Sequence, residues 1–196
     1  MNRRYARARE AAGLVFGADM QGREVVKRIS HTGWTGAPDP VAALLRVDPG
    51  ARVWARVRQM LIDGRVAELS TSYFPAAIAE GTTLTTSGEF PPGGVVRALE
   101  EAGRHVLRTY NEARSRLASD QELAVFGADP ALQPLDGRVV IEITHGTYGL
   151  GEEPLEVVVS VRPANGNVIV FETYEGASGE DVDELARQAG SNPASP

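Results

Sequence analysis

From residue 154 to 162 two sets of side chains alternate. Leu155, Val157, Val159 and Val161 form one set, and Glu156, Val158, Ser160 and Arg162 the other. A two-residue period places them on opposite faces of a β-strand, the apolar face against helices and the mixed face elsewhere. Residues 138–148 and 167–174 also read as strands, joined to this one through Gly149-Leu150-Gly151 and Asn165-Gly166. Strands linked by short turns run antiparallel. Earlier in the chain, 52–61 and 66–74 flank Asp63-Gly64, a strong hairpin signal. Residues 23–34 and 104–117 are further strand candidates.

Helical periods are fewer and shorter. Asp39 at an N-cap with Pro40 at the first helical position opens a helix through Leu45. Val95, Leu99 and Ala102 fall at i, i+4 and i+7 after Gly94, and Gly103 stands where a C′ glycine belongs. Ser119 and Glu122 form a capping box for a third helix. An arm at 1–22 and a small-residue acidic tail at 176–196, with a short helix over 181–188, complete the chain. With few crossover helices, the expected class is α+β: one antiparallel β-sheet with flanking helices.

Composition narrows the chemistry. Lys+Arg 20 against Asp+Glu 26 gives a net charge of −6, unfavourable for wrapping nucleic acid. The absence of cysteine excludes disulfides, thiolate metal sites and cysteine nucleophiles. The three histidines, His31, His105 and His145, have no metal-ligand spacing, and read as surface or packing residues. No apolar run reaches the roughly 20 residues of a membrane span, and no signal peptide opens the chain. A cytoplasmic protein without metal or cofactor is expected. No catalytic motif occurs, and catalytic residues are expected to be absent.

What remains is a binding face. Arg56 and Arg58 share a face of their strand with Trp54 and Met60. Arginines among large apolar side chains either bind an anion at a pocket mouth or snorkel over a sheet edge. Pro91-Pro92-Gly93-Gly94 runs into a helix whose first N–H groups could approach an anion, or is an ordinary turn. The hairpin register decides what Arg58 meets. A two-residue loop puts Arg58 opposite Leu69. A three-residue loop, Asp63-Gly64-Arg65, puts it opposite Ser70, on the face of Ser72. The three-residue loop is the expectation, with Gly64 in the left-handed conformation.

Several segments together resemble a known family. Arg58, Asp63, Gly64 and Val66, followed by Ser70-Thr71-Ser72-Tyr73-Phe74-Pro75, are similar to the hairpin of UTRA domains. These are effector-binding domains of the HutC subfamily of GntR-type transcriptional regulators. Pro92-Gly93-Gly94-Val95 with Leu99-Glu100-Glu101-Ala102-Gly103 resembles the helix that follows that hairpin. Residues 113–122 resemble the family's strand-to-helix junction, and Ile143-Thr144-His145-Gly146-Thr147-Tyr148 with Pro154-Leu155-Glu156 its late hairpin. His145 replaces a basic residue usual there. The resemblance spans about 23–175 and implies a chorismate-lyase-like fold, a homodimer and a small-molecule effector. It implies that DNA is bound only through a winged-helix domain, with 1–22 as the linker that follows it. Residue by residue, it implies ligand-binding roles for Arg58, Ser70, Ser72, Gly94, Glu156 and Arg162. Met60 stands where sugar-phosphate sensors place a second arginine, which weakens the case for a phosphorylated ligand. The competing expectation is a chorismate-lyase-like enzyme acting on a small carboxylate.

Overall fold

The computed structural model describes residues 22–90, 93–126 and 138–164. Its strands are β1 (Val25–Gly36), β2 (Arg52–Ile62), β3 (Arg65–Pro75), β4 (Arg108–Leu117), β5 (Val139–Tyr148) and β6 (Pro154–Pro163). Its helices are α1 (Asp39–Leu45), α2 (Ala76–Ala79), α3 (Gly94–Glu101) and α4 (Asp120–Phe126). The strands form one sheet in the order β1-β2-β3-β6-β5-β4, every pair antiparallel. It consists of two three-stranded meanders joined where β3 pairs with β6, as the α+β expectation requires. The second hairpin expected at Asn165-Gly166 and the tail helix lie outside the described residues.

The register sorts side chains onto two faces. The back face carries Val53, Tyr73, Val157 and Val159 against α1, whose Val41, Ala42 and Leu45 are buried. Farther along, Val140, Val161, Val66 and Leu69 pack against Phe126 of α4. The front face is apolar only at one end. There Phe74, Trp34 and Trp54 pack with Ile78, Leu84, Ala98 and Leu99 from α2, the following turn and α3.

Three local expectations change. The helix of α1 begins one residue early: Pro38 is the N-cap and Asp39 lies in the first turn. The Pro38 carbonyl accepts from the N–H of Ala42 at 2.8 Å, and no side chain caps the helix. Leu155 leaves the face of Val157 and joins the front cluster with Phe74 and Leu99. The β5–β6 register shifts between Thr147 and Tyr148, and Leu155 is the residue skipped.

The third change concerns the hairpin. Ile62 pairs with Arg65, so the loop is the two residues Asp63-Gly64 and not three. Their φ values of 50° and 78° suit a primed turn, matching the twist of the strands. The register then shifts between Met60 and Leu61: Leu61 faces Val66, while Met60 faces Glu68. Ala67 is the extra residue of a β-bulge. The slip expected from the loop is made inside the strand instead, and Arg58 still faces Ser70.

The other sequence signals are met. Ser119 and Glu122 form the reciprocal capping box, Ser119 N–H donating to Glu122 Oε2 at 2.7 Å and Glu122 N–H to Ser119 Oγ at 3.3 Å. α3 ends in a Schellman motif on Gly103, whose φ is 74°. Arg104 N–H reaches the Leu99 carbonyl at 2.8 Å and Gly103 N–H the Glu100 carbonyl at 2.9 Å.

Candidate functional site

Beyond the Trp54–Phe74 cluster the front face turns polar. Direct pairing carries it across four strands: Arg56 with Ser72, Arg58 with Ser70, Ser70 with Ser160, Ser72 with Val158, and Val158 with His145. Glu156 lies on the same face, opposite Thr147, and Ile29 of β1 faces Arg58. Ser70, Ser72, Ser160 and Glu156 are buried. The structure thus brings Arg58, Ser70, Ser72, Glu156 and Arg162 to one face. Gly94 opens α3 behind Gly93, whose φ is 100°. A Cβ on Gly93 would lie 2.8 Å from Arg97 Cβ, so glycine is required to start the helix there. Gly94 thus lies at the start of a helix and not on the sheet face.

The two arginines have different tasks. Arg56 is 2% exposed. Its Nη1 donates to the Thr86 carbonyl at 2.6 Å and its Nη2 to the Gly88 carbonyl at 2.7 Å. Its guanidinium carbon lies 4.1 Å from the centroid of the Phe90 ring. Arg56 therefore ties the segment leading towards α3 down onto the sheet. Burial, then the neighbouring Arg58 cation, weighs against its charge, and Glu156 and Glu89 offset them. Arg58 is only half-buried, and its Nη2 donates to Ser72 Oγ at 2.9 Å. Its Nε is buried without a hydrogen-bond partner.

Sequence reasoning missed two neighbours. Glu68, two residues before Ser70 on the same face, forms a buried ion pair with Arg162. Burial pushes its carboxyl up, while Arg162 and then Arg58 pull it back. The Glu68-Ser70-Ser72 spacing was a visible signal, but the bulge at Ala67 concealed which face it took. The second is His145, which has a partner after all: Nδ1 lies 2.7 Å from Asn111 Oδ1 across the β4–β5 pair. Burial holds its pKa below the usual histidine value. The neutral ring donates through Nδ1 and leaves Nε2 as an acceptor. Among the described residues, no group of three or more His, Asp or Glu side chains could hold a metal.

This arrangement, a serine-floored sheet face with a half-buried arginine bonded to a serine hydroxyl, suits binding of a small polar molecule. The sequence matches the UTRA domain over residues 20–166. The chain belongs to the UTRA family. No curated protein matches it. Among solved structures, one protein assigned to the GntR family of transcriptional regulators is 25% identical with a TM-score of 0.68. That match covers 81% of this chain and 62% of the other, so this chain spans less than two thirds of that relative. The effector domain of PhnF from Mycobacterium smegmatis is 21% identical, TM-score 0.62, covering 80% of this chain and 91% of that one. The ligand-binding domain of another GntR-family protein, from Bordetella bronchiseptica, is 20% identical, TM-score 0.60, covering 76% and 92%. This UTRA chain has the effector-domain fold of those regulators. No helix among its described residues is long and apolar enough to cross a membrane.

Proposed function

We propose that this UTRA domain senses a small-molecule effector on the front face of its sheet, for a GntR-type regulator of the HutC subfamily. One observation carries the reading. In a chain of this family, Arg58, Ser70, Ser72 and Glu156 converge on one largely buried polar face, with an arginine that has hydrogen-bonding capacity to spare. Arg58, Ser70 and Ser72 contact the effector, Glu156 sets the charge beside Arg56, and Arg162 acts with Glu68 at the far end. Gly94 contributes by placing the start of α3. The domain is cytoplasmic, dimerises with a second copy, and reaches DNA only through a winged-helix domain, with residues 1–22 as the linker. It is not an enzyme, since no residue of the face is set up as a nucleophile or as a base with an orienting partner.

A thermal-shift screen of the full chain against cellular metabolites tests this. A molecule that binds only the native state raises the unfolding midpoint by linkage. Arg58→Ala should weaken the hits by about 1.5–3 kcal/mol, the size of a charge-assisted hydrogen bond, with the far-UV spectrum unchanged. Hits that stabilise Arg58→Ala as well as the parent would place the effector elsewhere.

A further inference from the structure

The two outer strands of the sheet are built differently. In β1 the register slips between Ile29 and His31, and the strand carries Lys27 and Arg28 but no acidic residue. A bulge and a single sign of charge both oppose pairing with a further strand. β4 has no bulge and carries both signs. Its 10 residues pair with β5 in unbroken register and include neither proline nor glycine. Among the described residues no strand pairs with its outer side.

The pairing shows which main-chain groups face outward. Ala118 N–H donates to the carbonyl of Arg138, directly opposite in the β4–β5 register, at 2.9 Å. Even-numbered residues of β4 therefore turn their main-chain groups to β5. Thr109, Asn111, Ala113, Ser115 and Leu117 turn theirs outward, and their side chains, on the front face, are all uncharged. Tyr110, Glu112, Arg114 and Arg116 stand on the back face. Tyr110 OH donates to Glu112 Oε2, and Arg114 bonds Glu142 through Nε and Nη2. Glu112 Oε1 and Arg114 Nη1 are left for a further contact.

We propose that β4 is the contact surface for a second copy of this chain, the two strands running antiparallel about a two-fold axis through Ala113. This rests on the dimer of the functional reading and adds its surface and register. A two-fold axis perpendicular to the sheet sets one β4 antiparallel beside another and keeps the two faces distinct. Outward-facing residues then pair with outward-facing residues, and charge selects the register. With Ala113 opposite the partner's Ala113, Glu112 stands opposite the partner's Arg114, twice by symmetry. These are non-hydrogen-bonded pairs, in which side chains come closest. Asn111 meets the partner's Ser115, and Thr109 the partner's Leu117. Centred on Glu112, the strand would oppose that carboxylate to its own copy, and Arg108 to the partner's Arg116. Centred on Arg114, it would oppose two guanidinium groups. Centred on Asn111 or Ser115, it would oppose Arg114 to the partner's Arg108 or to the partner's Arg116.

Light scattering of the full chain and of charge-exchange variants at micromolar concentration tests this. The parent should be a dimer. Glu112→Arg and Arg114→Glu should each weaken self-association by roughly tenfold or more, because like charges then meet across the axis. Mixed in equal amounts, the two variants should recover a dimer, since every crossing pair is again one acid and one base. Far-UV spectra matching the parent show that each variant folds. Independently of them, a nitroxide on Ala113→Cys, in a chain with no other cysteine, should show strong dipolar broadening, because the two labelled Cα atoms are about 5.5 Å apart. A parent dimer without that broadening would overturn the edge contact and leave the dimer standing. Folded variants that dimerise alone as well as the parent, or that do not recover a dimer on mixing, would overturn the register. A monomeric parent would overturn both contact and dimer and leave the effector site untouched.

Discussion

Arg56 and Arg58 are two residues apart on one face of one strand, yet their surroundings give them opposite tasks. The Thr86 and Gly88 carbonyls converge on Arg56, so its charge serves the fold. Arg56→Met removes both donors and strands two carbonyls near the core. The expected loss is about 3 kcal/mol, read from urea unfolding of the variant. Arg56→Lys should recover little of it, because one ammonium cannot reproduce the planar fork. Arg58 has no comparable structural partner, and Arg58→Ala should leave the urea midpoint nearly unchanged. Equal destabilisation by the two variants would contradict this division.

At the scale of elements, the β2–β3 hairpin is governed by two adjacent devices. Asp63-Gly64 makes the tight turn, and Gly64 has open space around its Cβ position but a φ of 78°. Gly64→Ala should therefore cost roughly 1 kcal/mol by backbone strain alone, measured by chemical denaturation. Ala67 is the other device. Deleting it removes the bulge, and a continuous ladder from the same turn still pairs Met60 with Glu68 and Arg58 with Ser70, so the faces are kept. Cooperative unfolding of the deletion variant is the expected result; loss of cooperative unfolding would contradict the assignment of Ala67 as the extra residue. The β4–α4 junction is an electrostatic element. Arg116 bridges Glu122 and Glu142, and the capping box adds the Ser119 N–H. Bonding to Arg116 foremost lowers the Glu122 carboxyl to about 2 from the ordinary 4.5. Because the folded pKa lies below the unfolded one, the stabilisation is complete above about pH 4.5 and is lost as pH falls through about 2. Glu122→Gln should be about 1–2 kcal/mol less stable at pH 7, with the gap closing towards pH 2 in acid-titrated urea melts.

For the whole molecule, the sheet's two edges matter most. Among the described residues β1 and β4 are the outermost strands, and most of their residues are exposed. β4 carries Arg108, Glu112, Arg114 and Arg116, charges that discourage indiscriminate edge pairing. Leu107 and Leu117 at its ends are exposed apolar side chains, Leu117 to 74%. A homodimer is expected by light scattering at micromolar concentration, and Leu117→Glu should shift it towards monomer if that edge is the contact. A monomeric mass for the parent chain would remove the dimer from the functional reading.

The amino-acid sequence by itself determined the element types, because each depends on neighbours in the chain. The alternation in β6 from Glu156 onward, the glycine turn at 63–64, the Ser119–Glu122 cap and the Gly103 helix stop are local, and all appear in the structure. The α+β class and the antiparallel hairpins followed from short connections, whereas the joining of β3 to β6 did not. Period two and the hairpin register put Arg58 with Ser70 and Ser72, while Glu156 was grouped with them only through the family resemblance. What only the tertiary structure decided were places where one residue changes a register or a partner comes from far away in sequence. The bulge at Ala67 and the turn-out of Leu155 are one-residue slips with little local signature, since skipping a residue is set by the sheet's overall twist and packing. The pairing of Glu68 with Arg162 and of Asn111 with His145 bridges 94 and 34 positions of sequence, and the clamp on Arg56 bridges 30 and 32. Such contacts depend on which strands become neighbours, and that is decided by burial of the whole apolar surface rather than by any one segment.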